Sequence, residues 1–244
     1  MLLAGLAAAA TCADPTARLR WTTLLAALAA TTRLDLGLLC APLLLANLRG
    51  RPFGEWFRQT AVGMVPLMAW LLFAAVYYGS PFPITAFAKA TNLGVPATDL
   101  LRQGLHYYHY VLLNDPLTLV VIGAGTAVGL VRGALADRAL ALGVLLYCAY
   151  IAAVGGDFMS GRFFSPPLVV AVAILARTLG RNRAWLSLAT LVVAGAATLL
   201  PGLPDWLHAP AHDTPPTSHF HGIVDERRFY YELQGLLSPK RSVP

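Results

Sequence analysis

The chain has 244 residues, of which 57% are hydrophobic and only 12% charged, and its mean hydropathy is +0.61. A soluble domain is nearer a quarter charged, so this composition excludes an ordinary soluble globular fold and points to a polytopic membrane protein. The net charge of +6 does not indicate a nucleic-acid partner, because the basic residues stand singly between apolar runs rather than in a stripe.

Residues 1–13 are apolar but short for a membrane crossing. They lack a basic stretch ahead of the apolar run, so they do not read as a signal peptide. They read as the tail of a helix that begins upstream. Pro15 disfavours helix in the residue before it and closes this run. Apolar runs follow at 21–32 and 34–47, with Arg33 and Asp35 at the break between them. That pair reads as a helix-end pair at the headgroup level in preference to the lining of a cavity.

Residues 49–59 form a loop with Arg49, Arg51 and Arg58, and 61–78 form the next span, closed by the interface aromatics Tyr77 and Tyr78. A long segment, 80–115, follows. Its centre, 98–113, opens on a Thr98-Asp99 cap signal. Leu100, Leu101, Leu105, Tyr108 and Leu112 recur there at helical spacing, which predicts an amphipathic helix on the membrane surface.

Further spans are expected at 117–131, 139–154, 165–176 and 185–200, with Pro166 and Pro167 delaying the start of the third of these. The fold class is all-α: a polytopic transmembrane bundle of about six to seven apolar helices with outer-side loops. Residues 1–200 make up the membrane region and 201–244 a polar outer-side tail. Cys12, Cys40 and Cys148 lie in apolar runs and read as small hydrophobes. His208, His212, His219 and His221 lack ligand spacing, so neither a metal nor a cofactor is expected.

The short basic loops near Arg18, Arg51, Arg132 and Arg181 fall on one side, which the positive-inside rule places in the cytoplasm. The segment after Tyr78, the turn at 155–164 and the tail then share the outer side. That turn reads Gly-Gly-Asp-Phe-Met-Ser-Gly-Arg-Phe-Phe. Charges at a membrane boundary face a polar cavity or each other. The bland reading of Asp157 and Arg162 is an ion pair that ties two helices together. The functional reading is a ligand site, because the three glycines leave room for a ligand at Asp157.

Gly155-Gly156-Asp157-Phe158-Met159, one variable residue, then Gly161-Arg162-Phe163 resembles a motif of bacterial GT-C type integral-membrane glycosyltransferases, the family of the mycobacterial terminal arabinofuranosyltransferase. Residues 77–89 (Tyr-Tyr-Gly-Ser-Pro-Phe-Pro-Ile-Thr-Ala-Phe-Ala-Lys) and 222–227 (Gly-Ile-Val-Asp-Glu-Arg) resemble the same family. The likeness runs from about residue 24 to about residue 235. One departure is Ile84, where the family usually has Asn before Thr85.

The resemblance implies a multi-pass protein of the bacterial plasma membrane. It implies transfer of a sugar, arabinofuranose being the one suggested, from a polyprenyl-phosphate donor to a cell-envelope glycan or lipid acceptor. Such transfer needs a carboxylate, cations for the leaving phosphate and an apolar groove. Asp157 is the candidate catalytic acid, ahead of Asp99 and Asp115. Lys89, Arg102, Arg162, Thr85 and Gly156 are the candidate substrate-binding residues. The family's usual base lies in an earlier outer loop, so the expectation is an internal fragment that does not transfer sugar by itself. A transporter or flippase with Asp157 and Arg162 on its pathway, and a non-catalytic membrane scaffold, are the alternatives.

Overall fold

The computed structural model describes residues 1–83, 94–179 and 221–224. The described residues are helical apart from their connections, with no strand and a single isolated bridge. Helix α1 is Leu2–Ala9, α2 Pro15–Thr32, α3 Leu36–Leu48 and α4 Phe53–Tyr78. After the undescribed stretch come α5 Ala97–Asn114, α6 Pro116–Arg132, α7 Leu135–Ala153, a 3-10 turn Arg162–Phe164, and α8 Ser165–Leu179.

The ends of these helices follow local chemistry. Asp14 does more than close the first run: its carboxylate accepts from Thr16 N (3.0 Å) and Ala17 N (3.2 Å), with Pro15 in the first turn of α2. Asp115 caps α6 in the same way, through Thr118. Pro166 and Pro167 do not delay α8. They sit in its first turn, where the missing N–H groups have no intrahelical partner to lose. The expected Thr98-Asp99 cap is not formed; α5 starts at Ala97, after Pro96, with no side-chain cap.

Helix α7 is the centre of the bundle, in contact with α3, α5, α6 and α8. It runs antiparallel to α3. Gly143 meets the Leu39 backbone, and one turn on Tyr147 meets Asp35. It also runs antiparallel to α6, where Gly129 meets Ala141 and Gly133 meets Asp137. Glycines permit these close approaches: a Cβ at Gly63, Gly104, Gly125 or Gly143 would strike a neighbouring helix. Small residues at helix crossings are the usual packing device where lipid removes the hydrophobic drive between helices.

Two described helices, α4 and α7, are long and apolar enough to cross a membrane, or three crossings if the bent pair α5–α6 counts as one. This is fewer than hydropathy alone suggests. Helix α3 has only 13 residues and holds Pro42, and α2 carries Arg18 and Arg20 near its start. The span expected at 185–200 lies outside the described residues, as does most of the tail. Only 11% of the most apolar stretch of α4 is buried, against 44% for α7, so α4 turns most of its apolar surface outward. Among the described residues its one close seam is with α2, where Gly63 rests on Thr23.

Helix α5 forms where its periodicity predicts. It packs through Gly104, Tyr107 and Val111, while the leucine stripe Leu101, Leu105 and Leu112 points outward. The chain bends by 107° between α5 and α6.

Candidate functional site

The ends of α2, α4 and α7 and the turn after α7 surround a cavity of about 660 Å³. Its charged lining residues are Arg33, Asp35, Asp157 and Arg162, and Trp70, Tyr78, Tyr150, Phe158 and Phe163 supply aromatic walls.

The Asp157 turn is built by backbone geometry. Gly156 N donates to Ile151 O (2.9 Å) and Gly155 N to Ala152 O (3.4 Å), the paired bonds of a Schellman helix end. Gly155 and Gly156 are both left-handed, with φ of 81° and 71°. The second reversal sets Asp157 against the cavity and brings Gly156 onto the Tyr107 ring, where a Cβ would lie 2.6 Å from Tyr107 Cβ. The Tyr107 hydroxyl spans the loop: it donates to Met159 O (3.0 Å) and accepts from Phe163 N (3.4 Å).

A second segment closes over this turn. Val224 N donates to Phe158 O (2.8 Å), and Ser160 N donates to Val224 O (3.0 Å). Ile223 is buried, and Gln103 Nε2 donates to His221 O (2.7 Å). The His221 ring stacks on His106 with centroids 3.8 Å apart. Parts of all three sequence stretches that carry the family resemblance thus meet at one end of the bundle. Tyr78, Ser80, Pro81 and Pro83 line the cavity, Asp157 to Phe163 form its floor, and 222–224 pair with that floor.

The two charge pairs of the cavity differ. Arg33 grips Asp35 with two prongs, Nε to Oδ1 at 3.1 Å and Nη2 to Oδ2 at 2.5 Å. The Tyr147 hydroxyl completes the cluster: it donates to Asp35 Oδ2 (2.8 Å) and accepts from Arg33 Nη2 (3.1 Å). Burial pushes the Asp35 carboxyl up, but the bonds from Arg33 and Tyr147 and the guanidinium charge more than reverse this, leaving its pKa below the usual carboxylate value. Both Asp35 oxygens are therefore occupied.

Asp157 is held more loosely. Its side chain is 5% exposed, and Arg162 Nε approaches Oδ2 at 2.6 Å. That approach lacks hydrogen-bond geometry, and Oδ2 has no hydrogen-bond donor among the described residues. Arg162 is 47% exposed. The Phe163 ring lies between both cations, 4.5 Å from the Arg33 guanidinium and 5.8 Å from that of Arg162.

Of the residues that sequence reading put forward, Asp157 and Arg162 come together at the cavity. Their ion pair forms as the bland reading expects, and it also faces open space. Gly156 stands behind Asp157 against Tyr107 rather than among the lining residues. Arg102 is exposed on α5, away from the lining, and Asp99 and Asp115 sit at helix starts. Thr85 and Lys89 lie outside the described residues.

Arg33 and Asp35 form the helix-end pair that the sequence suggests, at the end of α2 and the start of α3, and they also line the cavity. Tyr147 had no sequence signal, since an inward tyrosine on an apolar helix looks like any interface aromatic. Among the described residues no three His, Cys, Asp or Glu side chains gather as a metal-ligand set. Comparison of the chain with protein-family models, with curated proteins and with solved structures gave no match.

Proposed function

We propose that the chain is part or all of a membrane glycosyltransferase of the GT-C type. It transfers a sugar, arabinofuranose by the resemblance, from a polyprenyl-phosphate donor to a cell-envelope glycan or lipid acceptor. The observation that carries this reading is the convergence of three sequence stretches, far apart in the chain, around one cavity.

The chemistry of the cavity is compatible with the reaction. Asp157 lines the cavity, and its carboxylate, paired with Arg162 but with no hydrogen-bond donor on Oδ2 among the described residues, is the group suited to accept a proton from a sugar hydroxyl. Arg162 beside it supplies donors for a leaving phosphate. Aromatic faces at Trp70, Tyr150 and Phe158 suit a sugar ring, and the outward apolar surface of α4 beside Trp70 suits a prenyl chain. Asp35, with both oxygens engaged, is the poorer proton acceptor.

The test places Asp157→Asn at the gene's own locus and measures arabinose incorporation into envelope glycan by isolated membranes. Incorporation falls by roughly a hundredfold while the protein's abundance stays near normal. Unchanged incorporation in Asp157→Asn and in Arg162→Lys would remove this cavity from the reaction.

One observation favours a second reading. Arg33 and Asp35 sit at a break between two short apolar helices and line the cavity, as charges do in broken-helix transporters. In that reading lipid-linked cargo moves across the membrane with no glycosidic bond made, which a product assay in sealed vesicles separates from transfer.

A further inference from the structure

We infer that Arg33 is a second ligand-binding cation of this cavity, aimed by Asp35 and Tyr147 and dedicated to a phosphate group. The inference rests on the phosphate-bearing donor of the proposed function and adds a residue that the family-like stretches do not contain.

The argument is a count of donors and acceptors. A guanidinium has five N–H donors. Arg33 commits Nε and Nη2 to Asp35 and Tyr147, and among the described residues no hydrogen bond engages Nη1. Arg162 commits Nε to the ion pair with Asp157, and no hydrogen bond among the described residues engages either of its Nη atoms. Both side chains line the cavity and both are part-exposed. The opposing acceptor capacity is small: both Asp35 oxygens are engaged, and Asp157 Oδ2 is buried against Arg162 Nε. The cavity therefore presents a surplus of charged N–H donors. A ligand that satisfies it carries an acceptor-only oxyanion, which is the chemistry of a phosphate ester.

The aim of Arg33 is fixed rather than incidental. Asp35 grips it in the two-pronged geometry that holds a guanidinium plane, Tyr147 blocks rotation about that grip, and Phe163 supports its face at 4.5 Å. A cation held only for ion pairing needs no such third and fourth contact. Tyr147 is fully buried on the central helix α7, so the cluster is anchored to the middle of the bundle. Asp35 and Tyr147 are positioning residues here; Arg33 is the residue that touches ligand.

The test uses the purified chain in nanodiscs and the binding of a short-chain prenyl monophosphate, with the uncharged prenyl alcohol and inorganic phosphate as competitors. Wild type binds the prenyl phosphate more tightly than the alcohol. Arg33→Gln reduces that preference on the order of ten- to a hundredfold, the loss of a charged hydrogen bond, and leaves alcohol binding unchanged. Arg33→Lys keeps the charge and loses the fork, so it recovers only part of the preference. Tyr147→Phe keeps the packing and lowers the preference without changing alcohol binding.

Competition by inorganic phosphate at matching concentration makes the ligand a free anion, whereas competition by the lipid alone makes it a headgroup; Arg33 dependence supports the inference in both cases. A wild-type preference retained in both Arg33→Gln and Tyr147→Phe overturns it, as does a wild type with no preference for phosphate. Melting curves for each variant separate loss of fold from loss of ligand, and Arg33→Lys decides if Arg33→Gln fails to fold. The probe carries no sugar, so its binding is read independently of transfer. Loss of transfer in Asp157→Asn with phosphate binding intact leaves each claim standing or falling by itself.

Discussion

Replacing Gly156 by alanine tests whether this glycine serves packing or ligand. The backbone there is left-handed, with φ of 71°, and a Cβ would lie 2.6 Å from both Cβ and Cγ of Tyr107. The Tyr107 ring cannot easily yield. It is fully buried, stacked on Phe164 at 5.4 Å, and its hydroxyl is bound at two points of the loop. A left-handed residue with a Cβ costs about 1–2 kcal/mol. Overpacking against an immobile ring adds about 1–3 kcal/mol. The expected total is about 2–5 kcal/mol.

Gly161 is the internal control. Its φ is 68°, nearly the same, yet nothing lies within 4 Å of a Cβ placed there. Gly161→Ala should therefore show only the backbone cost of about 1–2 kcal/mol. The two variants and the wild type are compared by thermal or denaturant unfolding in one detergent. Equal losses in both variants, or no loss in Gly156→Ala, would refute the claim that Tyr107 wedges against this glycine.

Tyr107→Phe keeps the ring and removes both loop bonds; unfolding should show a loss of about 1–2 kcal/mol, with phosphate-probe affinity lowered and alcohol binding unaltered. The His106–His221 stack should make closure of 221–224 depend on pH. Lost hydration, then the charges of His221, Arg102 and His109, lower the His106 pKa below 6.5. A base whose pKa falls on folding is disfavoured in its protonated form, so stability is full above its unfolded value and is lost as pH falls from there through the lowered folded value. Protease cutting near 221–224 should therefore rise as pH drops through about 6.5, and His106→Gln should abolish the rise; a flat profile in wild type counts against the stack. Reporter fusions after Ser80 and Ser160 should report one side of the membrane and fusions after Arg51 and Ala134 the other. Ser160 and Ala134 on the same side would mean that α7 does not cross.

Helices were legible where a strong period met clear punctuation. The Asp14-Pro15 and Asp115-Pro116 steps bound α2 and α6, and Gly79 in left-handed conformation ends α4 where Pro81 and Pro83 follow. The number of crossings was less legible, because hydropathy measures apolar length and not direction. A run such as α3 is apolar enough to be counted as a span but is short, kink-prone and packed against α7. The packed face of α5 was not legible for a related reason. Periodicity picked out the leucines, whereas the packed face uses Gly104, which hydropathy weights little.

In the site, local pairs were visible and distant ones were not. Asp157 and Arg162 are five positions apart in a glycine turn, so their meeting follows from the turn. Asp35 and Tyr147 are 112 residues apart, and nothing in either neighbourhood announces the other. Their meeting depends on the antiparallel register of α3 and α7, which Gly143 sets by its contact with the Leu39 backbone.

That register explains why the cavity is more than a set of loops. Helix α7 supplies Tyr147 to Asp35, the Cys148 carbonyl to the Tyr108 hydroxyl, the Ala152 backbone to Gly104, and its own C-terminal glycines to the Asp157 turn. A shift of α7 by one residue along its axis moves each group by about 1.5 Å and rotates it by about 100°. All of these contacts would then fail together. The glycine seams make such a shift costly, because each admits only one alignment of the facing backbones. Side chains on rigid helices hold a site more narrowly than side chains on loops do. The lining groups on α2, α7 and the 155–164 turn are thus fixed relative to one another. The segment at 221–224 is tied to that turn and to α5 by backbone bonds, the buried Ile223 and a histidine stack.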